Sequence, residues 1–158
     1  MKTQGTAGSR GGFTLVEIMV VVGIIAVVSG IAAANIVASM PMRRLEQSQF
    51  QLLSDLRSAR MESVTRSVPV TVTFNNSARS YTIWVDRDSD NVVDSGESTT
   101  STLAEMVGGT MSAYPTSGKF MPNGTFQSSY LYAYVYLYSS AGYKYIYVFP
   151  SGQVDMYN

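Results

Sequence analysis

The chain has 158 residues, enough for one ordinary globular domain and one extended element but not for two domains of typical size. It contains no Cys and no His, which excludes disulfides, thiolate metal sites, Cys nucleophiles and the commonest general base. The net charge is zero, but from Val68 onward four basic residues face seven acidic ones. This mildly acidic part lacks the clustered Lys and Arg that phosphate binding needs, so nucleic acid is not an expected partner.

The first segment, residues 1–12, is polar, rich in glycine and basic, with Lys2 and Arg10 and no acid. A segment of this composition can form neither a core nor a stable helix. It is expected to be a processed leader or a disordered end.

A long apolar segment follows, in which the 25 residues from Ile18 to Met42 carry no charge. A helix of that length reaches about 38 Å, enough to cross a bilayer. The apolar region of a secretory signal peptide is shorter, about 7–15 residues. A buried core helix is also disfavoured, because few domains of this size could surround it. We therefore predict a transmembrane helix over residues 13–40.

The next segment, residues 41–67, has the pattern of an amphipathic stem helix. Leu45, Leu52, Leu56 and Ala59 follow a seven-residue rhythm with charged residues between them, which indicates one covered face. Pro41 lacks an amide hydrogen and is expected to kink or interrupt the helix just beyond the apolar segment.

Residues 68–158 have the pattern of a β-rich domain. Val70, Val72 and Phe74 alternate with threonines, and Tyr81, Ile83 and Val85 follow after a turn-like Asn-Asn-Ser. The clearest strand pattern covers residues 130–138 and 143–149, with a turn at 139–142, and predicts a β-hairpin.

Alternation in this hairpin separates two kinds of side chain. The five tyrosines on one face are Tyr130, Tyr132, Tyr134, Tyr136 and Tyr138. The aliphatic face, expected to seek the core, consists of Leu131, Ala133, Val135 and Leu137. Two interpretations of the tyrosines stay open. They form a contact face for a surface, a sugar or a secreted substrate, or they pack against a second sheet or the stem helix.

The segment Asp86–Glu97 is an acid-rich loop with acids at positions 1, 3, 5, 9 and 12 of twelve residues. These are ligand positions of an EF-hand calcium loop. The ligands would be the carboxylates of Asp86, Asp88, Asp90, Asp94 and Glu97 and the backbone carbonyl of Val92. Asn91 stands where the sharp turn normally requires Gly, and Asn tolerates left-handed conformations. Calcium is the cofactor this pattern indicates, and a solvated turn without metal is the alternative.

The junction Gly11–Glu17 reads GGFTLVE and places a carboxylate at the edge of the uncharged span. A charge there is costly unless it has a partner. If the chain is cut after Gly12, the new α-amine of Phe13 lies one helical turn from Glu17, the spacing that brings side chains together on a helix. Cleavage would therefore create a counter-ion for Glu17.

These residues resemble the prepilin-type cleavage and methylation signature, in which a basic leader and Gly precede Phe-Thr-Leu-hydrophobic-Glu at the start of a transmembrane helix. The resemblance implies cleavage between Gly12 and Phe13 by the prepilin peptidase and N-methylation of Phe13. It implies a single-pass protein of the bacterial inner membrane with its C-terminal domain in the periplasm or outside the cell. The implied partners are membrane lipid before assembly, an inner-membrane assembly platform and other pilins or pseudopilins in a filament.

The distal part resembles the GspH/FimT group of minor pseudopilins and minor pilins. The resemblance rests on the stem pattern from Leu52 to Ser63, the strand after Pro69, the acid-rich loop and the segments Pro122–Gly124 and Phe149–Gly152. Many type IV pilins have Pro where this chain has Ala34, and major pilins often have a C-terminal disulfide loop, so a major pilin is disfavoured.

The expected fold is α+β, with a long N-terminal helix packed on an antiparallel β domain of two small sheets. The expected function is that of a structural subunit, without catalysis, of a type II secretion pseudopilus or a type IV pilus. The alternative is a binding or adhesion module at a filament tip that uses the tyrosine-rich face. With neither His nor Cys, the acid pairs form no recognisable catalytic constellation.

Overall fold

The structure, a computed structural model, describes residues 12–88, 93–94, 96–104, 106 and 108–157, with the side chains of residues 34 and 35 excepted. Contacts divide the chain into two units, Met1–Ser39 and Met40–Asn158, and each is described by itself.

The single helix of the described residues, α1, spans Leu15–Arg66. Thr14 caps its first turn, because the amide of Glu17 donates to Thr14 Oγ1 at 3.2 Å. Ser67 ends the helix with a left-handed φ of 57°, and Pro69 follows two residues later. Pro41 is an interior residue of α1, so an interruption there is wrong, whereas a kink stays a prediction. Proline removes one helical hydrogen bond, and the helix-forming sequence on both sides continues past it.

In the first unit, the described side chains of α1 from Leu15 to Val37 are exposed, and all of them except Glu17 and Ser29 are apolar. This part of the helix is long and apolar enough to cross a membrane, as its composition predicted.

In the second unit, nine antiparallel strands follow the helix among the described residues. They are β1 Val70–Asn75, β2 Ser80–Val85, β3 Ser98–Thr102, β4 Thr110–Tyr114, β5 Ser117–Phe120, β6 Phe126–Ser128, β7 Ala133–Ser139, β8 Gly142–Val148 and β9 Val154–Tyr157. One sheet has the order β3-β2-β1-β5-β6 and the other has the order β4-β7-β8-β9. The predicted α+β fold with two small sheets is confirmed.

The stem part of α1 contributes one face to the core of this unit. Leu45, Leu52, Leu56 and Ala59 are all buried, as their spacing predicted. They join the inward residues of both sheets in a single apolar cluster. Each fully buried aliphatic side chain contributes about 1.5–3 kcal/mol, so this face alone accounts for much of the attachment of the stem to the sheets.

Polar side chains on the same stem bond to backbone carbonyls of the distal turns and edges. Gln49 Nε2 donates to the carbonyls of Tyr145 and Tyr157, at 3.0 and 3.2 Å. Arg60 Nε donates to the Gly124 carbonyl at 3.0 Å, and its Nη2 donates to the Ser151 carbonyl at 3.2 Å. These bonds tie the stem to the backbone of β8 and β9 and of two distal turns.

A buried hydrogen bond links the stem to β2. Tyr81 Oη donates to Asp55 Oδ2 at 2.5 Å, and the Tyr81 side chain is almost fully buried. Burial and then the Asp55 carboxylate raise the pKa of Tyr81 well above its usual value. The phenol therefore stays a neutral donor to Asp55 at neutral pH.

Candidate functional site

The N-terminal junction is open to other molecules. Gly12 and Phe13 precede the helix and both are exposed, Phe13 by 78%. Gly11 lies outside the described residues. The junction that the sequence assigns to a peptidase is thus accessible in the chain as described.

Glu17 also occupies a helix-capping position. Thr14 and Glu17 are the N-cap and third helical residues, the Thr-x-x-Glu spacing of a capping box. An acid in the first turn also opposes the positive end of the helix dipole. The Thr-x-x-Glu spacing is visible in the sequence. The sequence-based interpretation nevertheless treats Glu17 only as an ion-pair partner of the Phe13 amine.

The acid-rich loop brings three of its predicted ligands together. Asp86, Asp88 and Glu97 each offer a carboxylate oxygen, and these oxygens all lie within 4.8 Å of one another. Asp94 is not part of this group, and its amide instead donates to Glu97 Oε2 at 3.3 Å. Asp90 and Val92 lie outside the described residues.

Glu97 closes the connection between β2 and β3 through hydrogen bonds. Its Oε1 accepts the Arg87 amide at 2.8 Å, and its Oε2 accepts the Trp84 indole N–H at 3.4 Å in addition to the Asp94 amide. The Arg87 amide, followed by the Asp94 amide, lowers the pKa of the Glu97 carboxyl. Sequence reasoning missed this role because two of the three donors are backbone amides, which leave no mark on the sequence.

We expect Glu97→Gln to lower the melting temperature at neutral pH, because its amide NH2 would face N–H donors. The lowered pKa means that the stabilisation by Glu97 is complete above its ordinary pKa and is lost as pH falls through the folded value. The Gln variant should therefore also lose less stability than the wild type between about pH 5 and pH 3. Thermal unfolding at several pH values measures both effects. Glu62→Gln, on an exposed helical pair with Arg66, is the control and should change little. Equal acid sensitivity of the wild type and Glu97→Gln would contradict this role.

The tyrosine hairpin forms with the predicted alternation. In β7, Ala133, Val135 and Leu137 are buried, and β7 pairs with β8 through the cross-strand pairs Tyr134–Tyr147, Tyr136–Tyr145 and Tyr138–Tyr143. The strand begins at Ala133, however, so Tyr130 and Tyr132 precede it and the prediction of a strand from Tyr130 is wrong. Leu131, expected in the core, is 78% exposed. The partner strands β4 and β8 end at Tyr114 and Val148, so there is no ladder to extend β7 further.

Tyrosine occupies every outward position of β7 and β8. We call the outer surface of the β4-β7-β8-β9 sheet, with its flanking aromatic side chains, the Tyr face. Its members are Tyr114, Tyr130, Tyr132, Tyr134, Tyr136, Tyr138, Tyr143, Tyr145, Tyr147, Phe149 and Tyr157. Every tyrosine of the chain except Tyr81 belongs to it.

The rings of the Tyr face pack against one another. Centroids are 4.9 Å apart for Tyr136 and Tyr145, 6.2 Å for Tyr134 and Tyr147, and 4.5 Å for Tyr114 and Tyr130. The aliphatic side of the same strands covers the core, so these rings do not serve as the core layer against the stem. The role of the five hairpin tyrosines as a contact face stays a prediction.

Three features together define a pilin-like filament subunit. They are an apolar N-terminal helix, an acid in the first turn of that helix, and a stem packed on two antiparallel sheets. The chain belongs to the family described as type II transport protein GspH, whose model matches residues 51–152, more than half of the sequence. The model of the prokaryotic N-terminal methylation motif matches residues 8–33. The chain is thus a structural subunit of a pilus or pseudopilus, as its sequence predicted.

Solved structures share the fold. The type IV minor pilin FimU of Pseudomonas aeruginosa (strain PAO1) is 13% identical in two crystal forms, both with a TM-score of 0.57. The matches cover 74% of this chain and 90% of FimU in one form, and 72% and 93% in the other. The minor pseudopilin EpsH from the Type 2 Secretion System of Vibrio cholerae is 11% identical, with a TM-score of 0.56 over 72% of this chain and 96% of EpsH. A comparison with curated protein sequences gave no match.

Proposed function

We propose that this chain is a minor subunit that primes or caps an assembling filament, in a type II secretion pseudopilus or a type IV pilus. The prepilin peptidase would cut between Gly12 and Phe13, and Phe13 would be N-methylated. The chain would then reside in the bacterial inner membrane with its β domain on the periplasmic side until an assembly platform extracts it. The observation that carries this proposal is the presence of both family signatures in one chain, the methylation motif over residues 8–33 and GspH over residues 51–152.

The exposed apolar helix supports assembly through helix packing. Lipid tails are as apolar as these side chains, so association relies on close van der Waals contact between helices. Gly23 and Gly30 lie seven residues apart on the same face, and a Cβ added at either would meet nothing within 4 Å. Small residues at such positions let neighbouring helix backbones approach closely. Glu17 would pair with a methylated α-amine at Phe13, so that both charges leave the lipid as a pair.

Affinity capture of the crosslinked full-length chain tests this proposal. We expect the captured partners to be other pilin-like subunits and components of one assembly platform, and their identity chooses between secretion system and pilus. Capture from cells that lack the prepilin peptidase is the control, and should lose the filament subunits because the leader remains. Partners unrelated to filament assembly in both samples would contradict the proposal.

A second candidate function is contact with a surface or substrate through the Tyr face at a filament end. The observation that favours it is exposure. Tyr130, Tyr132, Tyr138 and Tyr143 are about half exposed although they belong to a continuous aromatic surface. Tyrosine supplies stiff, amphipathic contact area at low conformational cost, and it is enriched at binding hot spots.

A calcium ion in the loop Asp86–Glu97 is a further proposal. The three carboxylates of Asp86, Asp88 and Glu97 would repel one another less with a cation between them, and this supports calcium binding. The hydrogen bonds to Glu97 support the metal-free turn instead. Calorimetry on the purified chain decides between them: we expect heat of binding at millimolar calcium and a lower melting temperature with chelator. Absence of both effects would eliminate the site.

A further inference from the structure

The Tyr face is almost free of charge. Among the described strand residues of its sheet, Asp155 is the single charged side chain that points outward, while Lys144 points to the core side and contacts Glu46. A nucleic acid or an acidic polymer needs Lys or Arg beside its charges, and a basic partner needs carboxylates. A face of this composition therefore complements a neutral partner.

The phenol groups make the Tyr face polar as well as aromatic. A hydrogen bond with Tyr130 raises the pKa of Tyr114, and burial raises the pKa of Tyr145. Each phenol both donates and accepts, and covering it with a purely apolar surface would leave it without a hydrogen-bond partner. The partner should therefore carry its own hydroxyl groups as well as apolar C–H surface for the rings.

The Tyr face contains two grooves that lie next to each other. A groove of about 290 Å³ is lined by Tyr132, Tyr145, Tyr147, Phe149 and Tyr157. A second groove of about 190 Å³ is lined by Tyr114, Tyr130, Leu131, Tyr132 and Tyr134. Tyr132 lines both, with its ring centroid 6.1 Å from that of Tyr147. Two small aromatic depressions that share one wall suit a ligand made of successive small rings better than a single compact molecule.

We propose that the Tyr face binds a neutral polysaccharide, with successive sugar rings in the two grooves on either side of Tyr132. The C–H faces of a sugar ring stack on aromatic rings, and its hydroxyls meet the phenol groups, so one ligand class satisfies both surfaces. This inference rests on the proposed contact role of the Tyr face. It does not depend on how the filament assembles.

Co-sedimentation with insoluble polysaccharides tests the proposal. The full-length chain is purified in a zwitterionic detergent, because a detergent with a sugar headgroup would compete for the grooves. The probes are four neutral polymers, namely cellulose, chitin, mannan and galactan, with alginate as a charged polymer, and the polymers that dissolve are coupled to beads. We expect saturable binding to at least one neutral polymer and none to alginate.

Three variants separate the grooves from the rest of the face. Tyr132→Ala should weaken binding by about tenfold or more, since Tyr132 lines both grooves. It should leave the melting temperature nearly unchanged, because Tyr132 is half exposed and precedes β7. Tyr132→Phe keeps the ring and should retain most of the binding. Tyr143→Ala is the matched control, an equally exposed tyrosine of the same face that lines neither groove.

Several outcomes would overturn the proposal. These are no binding to any of the four neutral polymers, preferential binding to alginate, or undiminished binding by Tyr132→Ala. Sedimentation of the chain without polymer, and with neutral lipid vesicles, is measured alongside. If Tyr132→Ala abolishes self-association or vesicle binding while no polysaccharide binds, the sugar assignment is wrong and the contact role of the face stands.

Discussion

Replacing Glu17 by alanine is expected to reduce the amount of this chain in sheared filaments by about tenfold or more. Removing the Glu17 carboxylate would leave its partner amine unpaired in the apolar environment of packed helices. Removing one partner of a desolvated ion pair is strongly destabilising. Quantitative mass spectrometry of the sheared fraction, normalised to the membrane pool, measures the effect.

Glu17→Gln separates the two roles of this residue. Glutamine preserves the capping-box pattern with Thr14 but has no charge, so it should fail like alanine if the ion pair matters. Glu62→Ala removes a partly exposed acid from the same helix and should assemble normally. Normal assembly of Glu17→Gln together with failure of Glu17→Ala would show that capping, not pairing, is the function of Glu17.

Replacing Gly152 by alanine is expected to destabilise the β domain by about 3 kcal/mol or more. Gly152 has φ of +75°, and a Cβ there would overlap the Gly124 carbonyl oxygen and lie 2.8 Å from Arg60 Nε. The turn before β9 would have to move, and the Arg60 bonds to Gly124 and Ser151 would be lost with it. Denaturant unfolding, followed by the fluorescence of the single tryptophan, Trp84, measures the change.

Gly108→Ala is the matched control for this substitution. Gly108 has nearly the same φ, +73°, but a Cβ there would meet nothing within 4 Å. Its cost should be limited to the left-handed backbone, about 1–2 kcal/mol. Equal losses in the two variants would show that backbone strain, and not the contact between the two distal turns, explains the Gly152 result.

The elements with a strong period were predictable from the sequence. A seven-residue rhythm placed Leu45, Leu52 and Leu56 in the core, and a two-residue rhythm placed Val135 and Leu137 there. Each of these arguments uses only the spacing of apolar residues within one helix or one strand. That spacing determines which face of the element is buried, whatever the details of the packing around it.

Features that depend on distant contacts were not predictable. Gln49 is buried because its amide reaches the carbonyls of Tyr145 and Tyr157, about a hundred residues away. Gly152 is required because another turn, at Gly124, lies against it. Leu131 continues the alternation of the hairpin, yet it is exposed because no neighbouring strand extends to it. In the loop, spacing predicted that Asp86, Asp88 and Glu97 would converge, but not that amides would engage Glu97.

The N-terminal sequence of this chain in purified filaments tests the central claim most directly. Filaments or pseudopili are sheared from cells, and the N-terminal peptide of this chain is analysed by mass spectrometry. The account predicts that the chain is present and begins at Phe13 with one methyl group on its α-amine. Absence of the chain from the filaments, or its presence there with residues 1–12 still attached, would contradict the account.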